Sequence, residues 1–465
     1  MNRIFRGTAL FIVLLLLALF AGCGFIVSEP SPPDTPEALP TVVSTTPPVT
    51  LPPTEPPATE PPATEATEPE QIREESFATL LVTGDIMSHL PVVNAGYTGS
   101  GYQYDRFFRY IAPYASEADF AVANLETTFA GTENGDKYSG FPRFNCPDAM
   151  AEAVKNAGFD MLLTANNHTY DTGVYGFNRT LEVIAEKDLL SLGTTNAPEE
   201  KPYRIIDLNG IRVGMICYTY GQIDPGTGQK SVNGLPMNRS LTDRINVFDY
   251  DRKELFYTEM EQRLRDLEAN GAEFTVLFIH WGNEYRTYQN THQEQIAQKL
   301  CNLGVDVIVG GHPHVLQPAE LLTSRIDSAH HTLCTYSVGN FLSNQHAGNM
   351  DLDSGHTEDG MLFRFRIVKY SNGEVFLDSA DFIPTWVCIR QVDGSRSYDI
   401  LPLDAEVDDW KHAFSLDSAT LRKAEGSFDR SYEILGSCME EISNELDEIR
   451  SQRERSFRIF RGGVG

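Results

Sequence analysis

The chain has 465 residues, which is enough for two or three domains of ordinary size. Hydrophobic residues make up 41% of it and aromatic residues 10%, a composition that can bury a sizeable core. Acidic side chains outnumber basic ones by 65 to 37, and the net charge of −28 argues against nucleic acid or an anionic membrane face as a broad electrostatic partner. Seven cysteines without a C-x-x-C pair indicate neither a zinc ribbon nor a disulfide framework.

Residues 1–22 have the layout of a lipoprotein signal peptide. Arg3 and Arg6 precede an apolar run over 9–21, which is short for a membrane-spanning helix. The run ends in the letters LFAGC, which resemble a bacterial lipobox and predict Cys23 as the lipidated first residue of the mature protein. We therefore expect a lipid-anchored protein on the extracytoplasmic face of the cell membrane, with an uncleaved anchor or simple secretion as the alternatives.

Residues 23–73 are predicted to be a linker rich in proline, threonine and glutamate. Fourteen of the chain's 26 prolines lie in this stretch, and PPATE occurs twice in succession. Such a composition cannot bury enough apolar surface to fold, so the segment is expected to be a semi-extended spacer between the anchor and the folded part.

Strand and helix patterns alternate from residue 74 onward, which favours an α/β fold for residues 74–405. Apolar runs predict strands at 77–83, 118–123, 159–164, 204–208, 211–218, 275–280, 305–309 and 332–338. Helical periodicity predicts helices at 147–157, 176–189, 254–270 and from 291 to 303, the last opened by a Thr291-x-x-Glu294 capping box. Asn209-Gly210 predicts a tight hairpin, and a second hairpin is expected over 363–375.

Residues 406–465 are predicted to be a helical C-terminal extension. Leu435, Met439, Ile442, Leu446 and Ile449 recur at spacings of 4, 3, 4 and 3, which is the pattern of an amphipathic helix. Its apolar face could pack back on the core or form a dimer seam.

Polar side chains follow five of the predicted strands, at the edge where open α/β sheets bind ligands. They are Asp85, Glu126, the run Asn166-Asn167-His168, His280, and the pair His312 and His314. A mixed set of oxygen and nitrogen donors suits Zn, Mn or Fe, and differs from a thiolate zinc site or an all-oxygen calcium cage. The sequence therefore predicts one or two divalent metal ions at this edge, and two ions bridged by a carboxylate could promote hydrolysis.

Six segments resemble the bacterial capsule-synthesis CapA family, which is associated with poly-γ-glutamate production. In chain order they are VTGDIMSH (82–89), ANLETTFAG (123–131), LTANNHTYDTG (163–173), FIHWGNEY (278–285), VGGHPHVLQP (309–318) and YSVGNF (336–341). The family is similar in fold to calcineurin-like metallophosphoesterases. The resemblance thus implies a four-layer α/β/β/α sandwich with a dinuclear metal site.

The resemblance also implies roles for individual residues. The implied metal ligands are Asp85, Glu126, Asn167, His280, His312 and His314. Glu126 would bridge two ions, and His168, oriented by Asp171, would be the acid that protonates the leaving group. Phosphoesterases usually carry Asp-x-His after the first strand, whereas His89 lies two positions later here, so its contact with an ion is left open.

The leading functional hypothesis is a surface-anchored CapA-like protein in biosynthesis or export of a capsular polymer, poly-γ-glutamate, acting through the metal site. One alternative is an extracytoplasmic metal-dependent hydrolase of phosphoester, γ-glutamyl or peptide amide bonds that is unrelated to capsule. Another is a polymer-binding factor without catalysis. The expected partners are an anionic polymer or a phosphoester or peptide substrate, a membrane polymer-synthesis complex, and the membrane through the lipid anchor.

Overall fold

The computed structural model describes residues 72–350, 354–392, 394–407 and 409–459. The predicted signal peptide, Cys23 and the linker up to residue 71 lie outside the described residues. These predictions therefore remain predictions.

The strands are numbered in chain order. They are β1 (Glu74–Ile86), β2 (Phe120–Leu125), β3 (Met161–Leu163), β4 (Leu190–Leu192), β5 (Arg204–Leu208), β6 (Ile211–Tyr220), β7 (Gln222–Ile223), β8 (Lys230–Val232), β9 (Leu235–Pro236), β10 (Val247–Phe248), β11 (Phe274–His280), β12 (Val307–Gly311), β13 (Leu316–Thr323), β14 (His331–Val338), β15 (Asn340–Leu342), β16 (Asp359–Tyr370), β17 (Val375–Val392) and β18 (Ser395–Pro402).

The α-helices are numbered in the same way. They are α1 (Leu90–Ala95), α2 (Asp105–Phe108), α3 (Ala112–Glu117), α4 (Ala149–Asn156), α5 (Gly173–Glu186), α6 (Lys253–Ala269), α7 (Thr291–Leu303), α8 (Trp410–Ala413) and α9 (Ser418–Ile459). Short 3-10 helices occur at Arg239–Arg244, Tyr250–Arg252 and His356–Glu358.

The start of α7 corrects one sequence prediction. The capping box is formed by Asn290 and Gln293, one residue before the predicted Thr291 and Glu294. The Asn290 side chain accepts from the Gln293 backbone N–H at 3.0 Å, and the Gln293 side chain accepts from the Asn290 N–H at 3.0 Å. Asparagine is as good an N-cap as threonine, so both registers fit the sequence pattern and the loop geometry selects the earlier one.

Two large sheets form the centre of the fold. Sheet I has the strand order β18-β17-β16-β1-β2-β3-β4, with β15 beside β1, and sheet II has the order β10-β6-β11-β12-β14-β13, with β5 beside β6. The strands β1 to β4 of sheet I run parallel, as do β6, β11, β12 and β14 of sheet II. A small third sheet comprises β7, β8 and β9.

The sheets pack face to face with helices on their outer faces. Val82 and Val122 of sheet I share a buried core with Val276 of sheet II. The neighbouring residue Leu81 points to the other face, where it packs in a second core with residues of α4. On the far side of sheet II, Ile296 of α7 packs in a third core. The order helix, sheet, sheet, helix confirms the expected four-layer α/β/β/α sandwich.

The long C-terminal helix α9 packs on the sandwich. It contacts β13 of sheet II and β17 of sheet I, and thus reaches both sheets. Leu435, Met439, Ile442 and Leu446 are buried in the core between the sheets. The predicted amphipathic face therefore packs back on the core. In the described part of the chain, no helix has the length and apolar character needed to cross a membrane.

Candidate metal centre

The candidate centre lies where the carboxyl ends of strands from both sheets meet. Asp85 is near the end of β1 and His280 ends β11, whereas Glu126 and His312 directly follow β2 and β12. The close approach of β1 to the chain before β15 requires a glycine, since a Cβ atom on Gly84 would lie 1.9 Å from a backbone oxygen. Residues that are far apart in the sequence thus converge on one site.

The first group of ligand-type side chains contains Asp85, Glu126 and His314, with one donor atom from each within 4.8 Å of the others. His314 Nδ1 lies 3.1 Å from Asp85 Oδ2, and His314 Nε2 lies 3.8 Å from Glu126 Oε1. Burial would raise the pKa of Asp85, but the hydrogen bond and the charge of His314 bring it below its ordinary value. Burial would lower the pKa of His314, but Glu126 and Asp85 raise it to about 9.

The second group contains Glu126, His280 and His312, again within 4.8 Å. His280 Nε2 lies 3.4 Å from Glu126 Oε1 and 2.9 Å from the Asn167 amide oxygen, so Asn167 joins this group. Burial and the neighbouring charges of His280 and His314 lower the pKa of His312 well below its ordinary value. His312 is therefore neutral at physiological pH, which is the protonation state that binds metal.

The turn after β12 is shaped to present two histidines. His312 has a φ angle of 92° and His314 one of 57°, both in the left-handed region that residues other than glycine seldom adopt. Such conformations cost about 1–3 kcal/mol each and cluster at functional sites. The strained backbone directs one imidazole to each group.

The residues fit a divalent cation. Glu126 is fully buried, and among the described residues neither of its carboxylate oxygens has a hydrogen-bond partner. The Nδ1 atom of His312 is likewise buried and unpaired within the same part of the chain. A buried carboxylate without a partner is strongly disfavoured, so a cation between the two groups would compensate it. Because Glu126 belongs to both groups, it also has the position expected of a bridging ligand.

Two asparagines, neither of them among the implied metal ligands, form a network that supports Asp85. Asn124 Nδ2 donates to Asp85 Oδ1 at 2.7 Å. Asn166 Nδ2 lies 3.2 Å from the Asn124 amide oxygen and donates to the Leu125 carbonyl oxygen at 2.7 Å. This network fixes the orientation of Asp85. Its only signal in the sequence was the position of both asparagines at strand ends.

His168 and Asp171 form a buried pair beside the centre. His168 Nδ1 lies 2.7 Å from Asp171 Oδ2, and the same oxygen accepts from the Phe144 backbone N–H at 2.7 Å. The Phe144 ring packs edge-on against the His168 ring at 4.6 Å. Burial would lower the pKa of His168, but Asp171 and the charge of Glu126 raise it above its ordinary value. The predicted acid thus has its predicted partner.

His89 lies beside this pair rather than in a ligand group. Its Nδ1 accepts from the Asn344 backbone N–H at 3.3 Å, and its ring packs edge-on against Phe144 at 5.1 Å. Burial lowers the pKa of His89 to about 4, opposed by a hydrogen bond to Met87. The structure gives His89 a packing position next to the centre.

Two further side chains border the centre and were not among the predicted site residues. Glu284, in the loop after β11, has a carboxylate oxygen within 4.8 Å of ring nitrogens of His312 and His314. The Tyr220 ring, at the end of β6, lies 4.7 Å from the His312 ring. Burial and the charges of Glu284 and Glu126 raise the pKa of Tyr220. Glu284 depends on loop geometry that the sequence does not reveal, whereas Tyr220 ends a predicted strand region without a ligand-type side chain.

Comparison with known proteins shows which family this chain belongs to. The family model described as bacterial capsule synthesis protein PGA_cap matches residues 79–345. The chain is 29% identical over 316 residues to the capsule biosynthesis protein CapA of Bacillus anthracis, covering 67% of this chain and 68% of the relative. It is 25% identical over 272 residues to the PGA biosynthesis protein CapA of Bacillus subtilis, covering 58% and 63%.

A solved structure of a candidate 5′-nucleotidase from Staphylococcus aureus, bound to α-ketoglutarate, is similar at 14% identity and a TM-score of 0.39. The similarity covers 76% of this chain and 58% of that one. The fold class of this chain, an α/β/β/α sandwich, follows from its own two sheets and the helices on their outer faces. Because the family match extends over more than half of the sequence, the chain belongs to the bacterial capsule synthesis (PGA_cap) family.

Proposed function

We propose that the strand-end centre holds one or two divalent ions, Mn, Zn or Fe, and hydrolyses a phosphoester or amide bond during biosynthesis or export of a capsular polymer. One observation carries this proposal. The buried carboxylate of Glu126 accepts no hydrogen bond within the described residues and lies between two groups of ligand-type side chains, with the His168–Asp171 pair alongside. A site for a cation next to a site for a proton is the arrangement that hydrolysis requires.

The chain's own residues supply the proton transfer. Asp171 holds Nδ1 of His168, so Nε2 is the nitrogen that can donate to a leaving group. The raised pKa of His168 favours the protonated imidazole near neutral pH, and Phe144 packs against the ring and fixes its plane. When bound, the ions would supply Lewis acidity and a water of lowered pKa.

The proposal also includes the identity of the polymer and the cellular location of the protein. The Bacillus subtilis relative is named for PGA biosynthesis, which supports poly-γ-glutamate as the polymer. The lipobox-like segment ending at Cys23 supports a lipid anchor on the extracytoplasmic membrane face, where a polymer-synthesis complex would be the partner. A net charge of −28 would repel a polyanion over most of the surface, so contact would concentrate at the cationic centre.

The test uses the purified full-length protein, with metal content measured by mass spectrometry and hydrolysis measured on bis-p-nitrophenyl phosphate and on γ-glutamyl p-nitroanilide. We expect His280→Ala to lose metal, and His168→Ala to keep metal while turnover falls by about 100-fold or more. His412→Ala, which changes an exposed histidine of α8, is the matched control and should behave as the wild type.

Other results of these assays would favour a different function or contradict the proposal. Bound metal without turnover of either probe would favour the polymer-binding factor that does no catalysis. Absence of metal under every loading condition would contradict the centre itself. Deleting the gene and measuring surface polymer tests the biological role, and unchanged polymer would contradict a role in capsule.

A further inference from the structure

Glu284 is a third acidic side chain at the centre, and it is absent from the ligand set that the family resemblance implies. One of its carboxylate oxygens lies within 4.8 Å of ring nitrogens of both His312 and His314. Asp85 and Glu126 are buried, whereas Glu284 is exposed. It therefore approaches the two imidazoles from the solvent side.

Two backbone hydrogen bonds join the loop that carries Glu284 to the turn that carries the histidines. The Trp281 N–H donates to the Gly311 carbonyl oxygen at 3.0 Å, and the Tyr285 N–H donates to the Pro313 carbonyl oxygen at 2.7 Å. The first bond precedes Glu284 and the second follows it directly. These two bonds thus hold the Glu284 carboxylate close to His312 and His314.

The same loop has strained backbone. Tyr285 has a φ angle of 63°, in the left-handed region, which costs a non-glycine residue about 1–3 kcal/mol. Its hydroxyl accepts from Gln345 Nε2 at 3.2 Å, and its ring lies 6.1 Å from that of His314. Tyr285 is therefore strained and is held at both its backbone and its side chain. Because it directly follows Glu284, these contacts also fix the position of the Glu284 carboxylate.

The donor set of this third group is one carboxylate oxygen and two imidazole nitrogens. This combination matches borderline cations such as Zn, Mn and Fe(II). His312 is shared with the group around His280, and His314 with the group around Asp85. The third group thus contains one histidine from each of the two buried groups, together with Glu284.

We propose that Glu284 is an additional metal ligand, which together with His312 and His314 closes the centre on its exposed side. This inference rests on the proposed metal centre and extends it by one residue. Glu284 differs from the other ligands in being reachable from solvent, so it acts on the ion that is bound nearest the surface.

The test titrates Mn²⁺ into the chelator-treated full-length protein and follows free Mn²⁺ by electron paramagnetic resonance. We expect Glu284→Gln to weaken the most weakly held ion by about tenfold or more, with folding checked by circular dichroism and thermal unfolding. Glu294→Gln removes another exposed carboxylate ten positions further on, in the first turn of α7, and should bind Mn²⁺ as the wild type does.

A salt titration separates a ligand from a distant charge. A direct metal–carboxylate bond should keep the difference between Glu284→Gln and the wild type in about 1 M salt, where exposed charges are screened within about 3 Å. A difference that vanishes at high salt, or unchanged Mn²⁺ affinity and stoichiometry in Glu284→Gln, would overturn the inference.

Failure of this inference can be told from failure of the proposed function. If the wild type binds Mn²⁺, His280→Ala loses it and Glu284→Gln binds as the wild type does, only the role of Glu284 is wrong. If the wild type binds none of Mn²⁺, Zn²⁺ and Fe²⁺, the role of Glu284 and the proposed centre are both wrong.

Discussion

Two buried carboxylates of sheet I, Glu126 and Asp359, have opposite surroundings. Asp359 is 1% exposed and accepts hydrogen bonds from Arg430 Nε at 2.7 Å, Arg430 Nη2 at 2.7 Å and Ser427 Oγ at 2.6 Å. Glu126 is 0% exposed and receives no hydrogen bond from the described part of the chain. Burial is therefore the same for both, and the partners differ.

This difference in hydrogen-bond partners indicates that Asp359 has a structural role and that Glu126 has a role in binding. The charge of Asp359 is compensated inside the protein, where it ties α9 to β16. Glu126 has only the imidazoles of His280 and His314 near it, at 3.4 and 3.8 Å, and accepts no hydrogen bond within the described residues, so a bound cation would complete the compensation of its charge. Variants at the two positions should therefore affect opposite properties, metal affinity in one case and folding stability in the other.

The largest expected effect is that of Glu126→Gln on metal affinity, which should fall by more than about 100-fold because both ligand groups lose their shared carboxylate. Metal content and Mn²⁺ titration measure this. In the metal-free protein the same change removes a buried charge that no hydrogen bond from the described residues stabilises, so the free energy of unfolding should rise. Glu182→Gln, on the exposed face of α5, is the control. A metal-free Glu126→Gln protein that is less stable than the wild type would contradict the comparison.

Asp359→Asn should lower the free energy of unfolding by about 3 kcal/mol, because it leaves the partly buried guanidinium of Arg430 without its charge partner. Urea denaturation of the metal-free protein measures the change. Metal content should stay at the wild-type level. A loss of metal equal to that of Glu126→Gln would show that the two carboxylates are not independent.

Ser427→Ala removes one of the hydrogen bonds to Asp359 and should cost about 1.5 kcal/mol, the usual range for a bond to a charged group. The matched control is Ser431→Ala, one turn later in α9. Ser431 is also buried, but its hydroxyl donates only to the backbone oxygen of Ser427 at 2.9 Å. Equal losses for the two serines in urea denaturation would argue against a special role for the Asp359 contact.

The smallest effect is expected at Glu273, a partly exposed carboxylate that lies 2.6 Å from Lys369 Nζ. Glu273→Gln should change the free energy of unfolding by less than about 1 kcal/mol, since solvent and salt screen such pairs.

Glu273 also has a pH dependence of known sign. Burial would raise its pKa, but Lys369 and the Arg212 N–H lower it below the ordinary 4.5. The stabilisation is therefore complete above pH 4.5 and is lost as the pH falls through the lowered value. Urea denaturation of the wild type and of Glu273→Gln at descending pH should converge. A difference that grows in acid would contradict this sign.

Much of the fold could be predicted because its signals are local. The buried run 120–125 reads as a strand directly, and Asn209-Gly210 fixes the turn between β5 and β6. The strands of the third sheet, β4, β10 and β15 were not predicted, since each is at most three residues long. The eight-residue strands β13 and β18 were not predicted either. The range of α7 was predicted correctly, but its capping box was placed one residue too late because two overlapping capping patterns compete.

The residues of the candidate centre also differ in how far the sequence predicts them. Asp85, Glu126, His280 and His312 could be placed together because parallel strands end at one edge of each sheet. Glu284 follows the strand that ends at His280 and could be expected either to line a pocket or to cap that strand. Its approach to His312 and His314 depends on the left-handed Tyr285 and on hydrogen bonds to a turn that lies 28 residues away in the sequence. Residues at strand ends could thus be predicted from their position, whereas the roles of the loop residues His168, Asp171 and His314 were implied by the family resemblance.

The position of α9 has a consequence for how the chain acquires its structure. Four of its side chains fill the space between the sheets, and they come from the last helix, about 350 residues after β1. During synthesis the two sheets can pair early, but the interior they enclose stays open until this helix has been made. The domain is therefore expected to consolidate late and as a whole, and to reach its stable form only after α9 is available to pack.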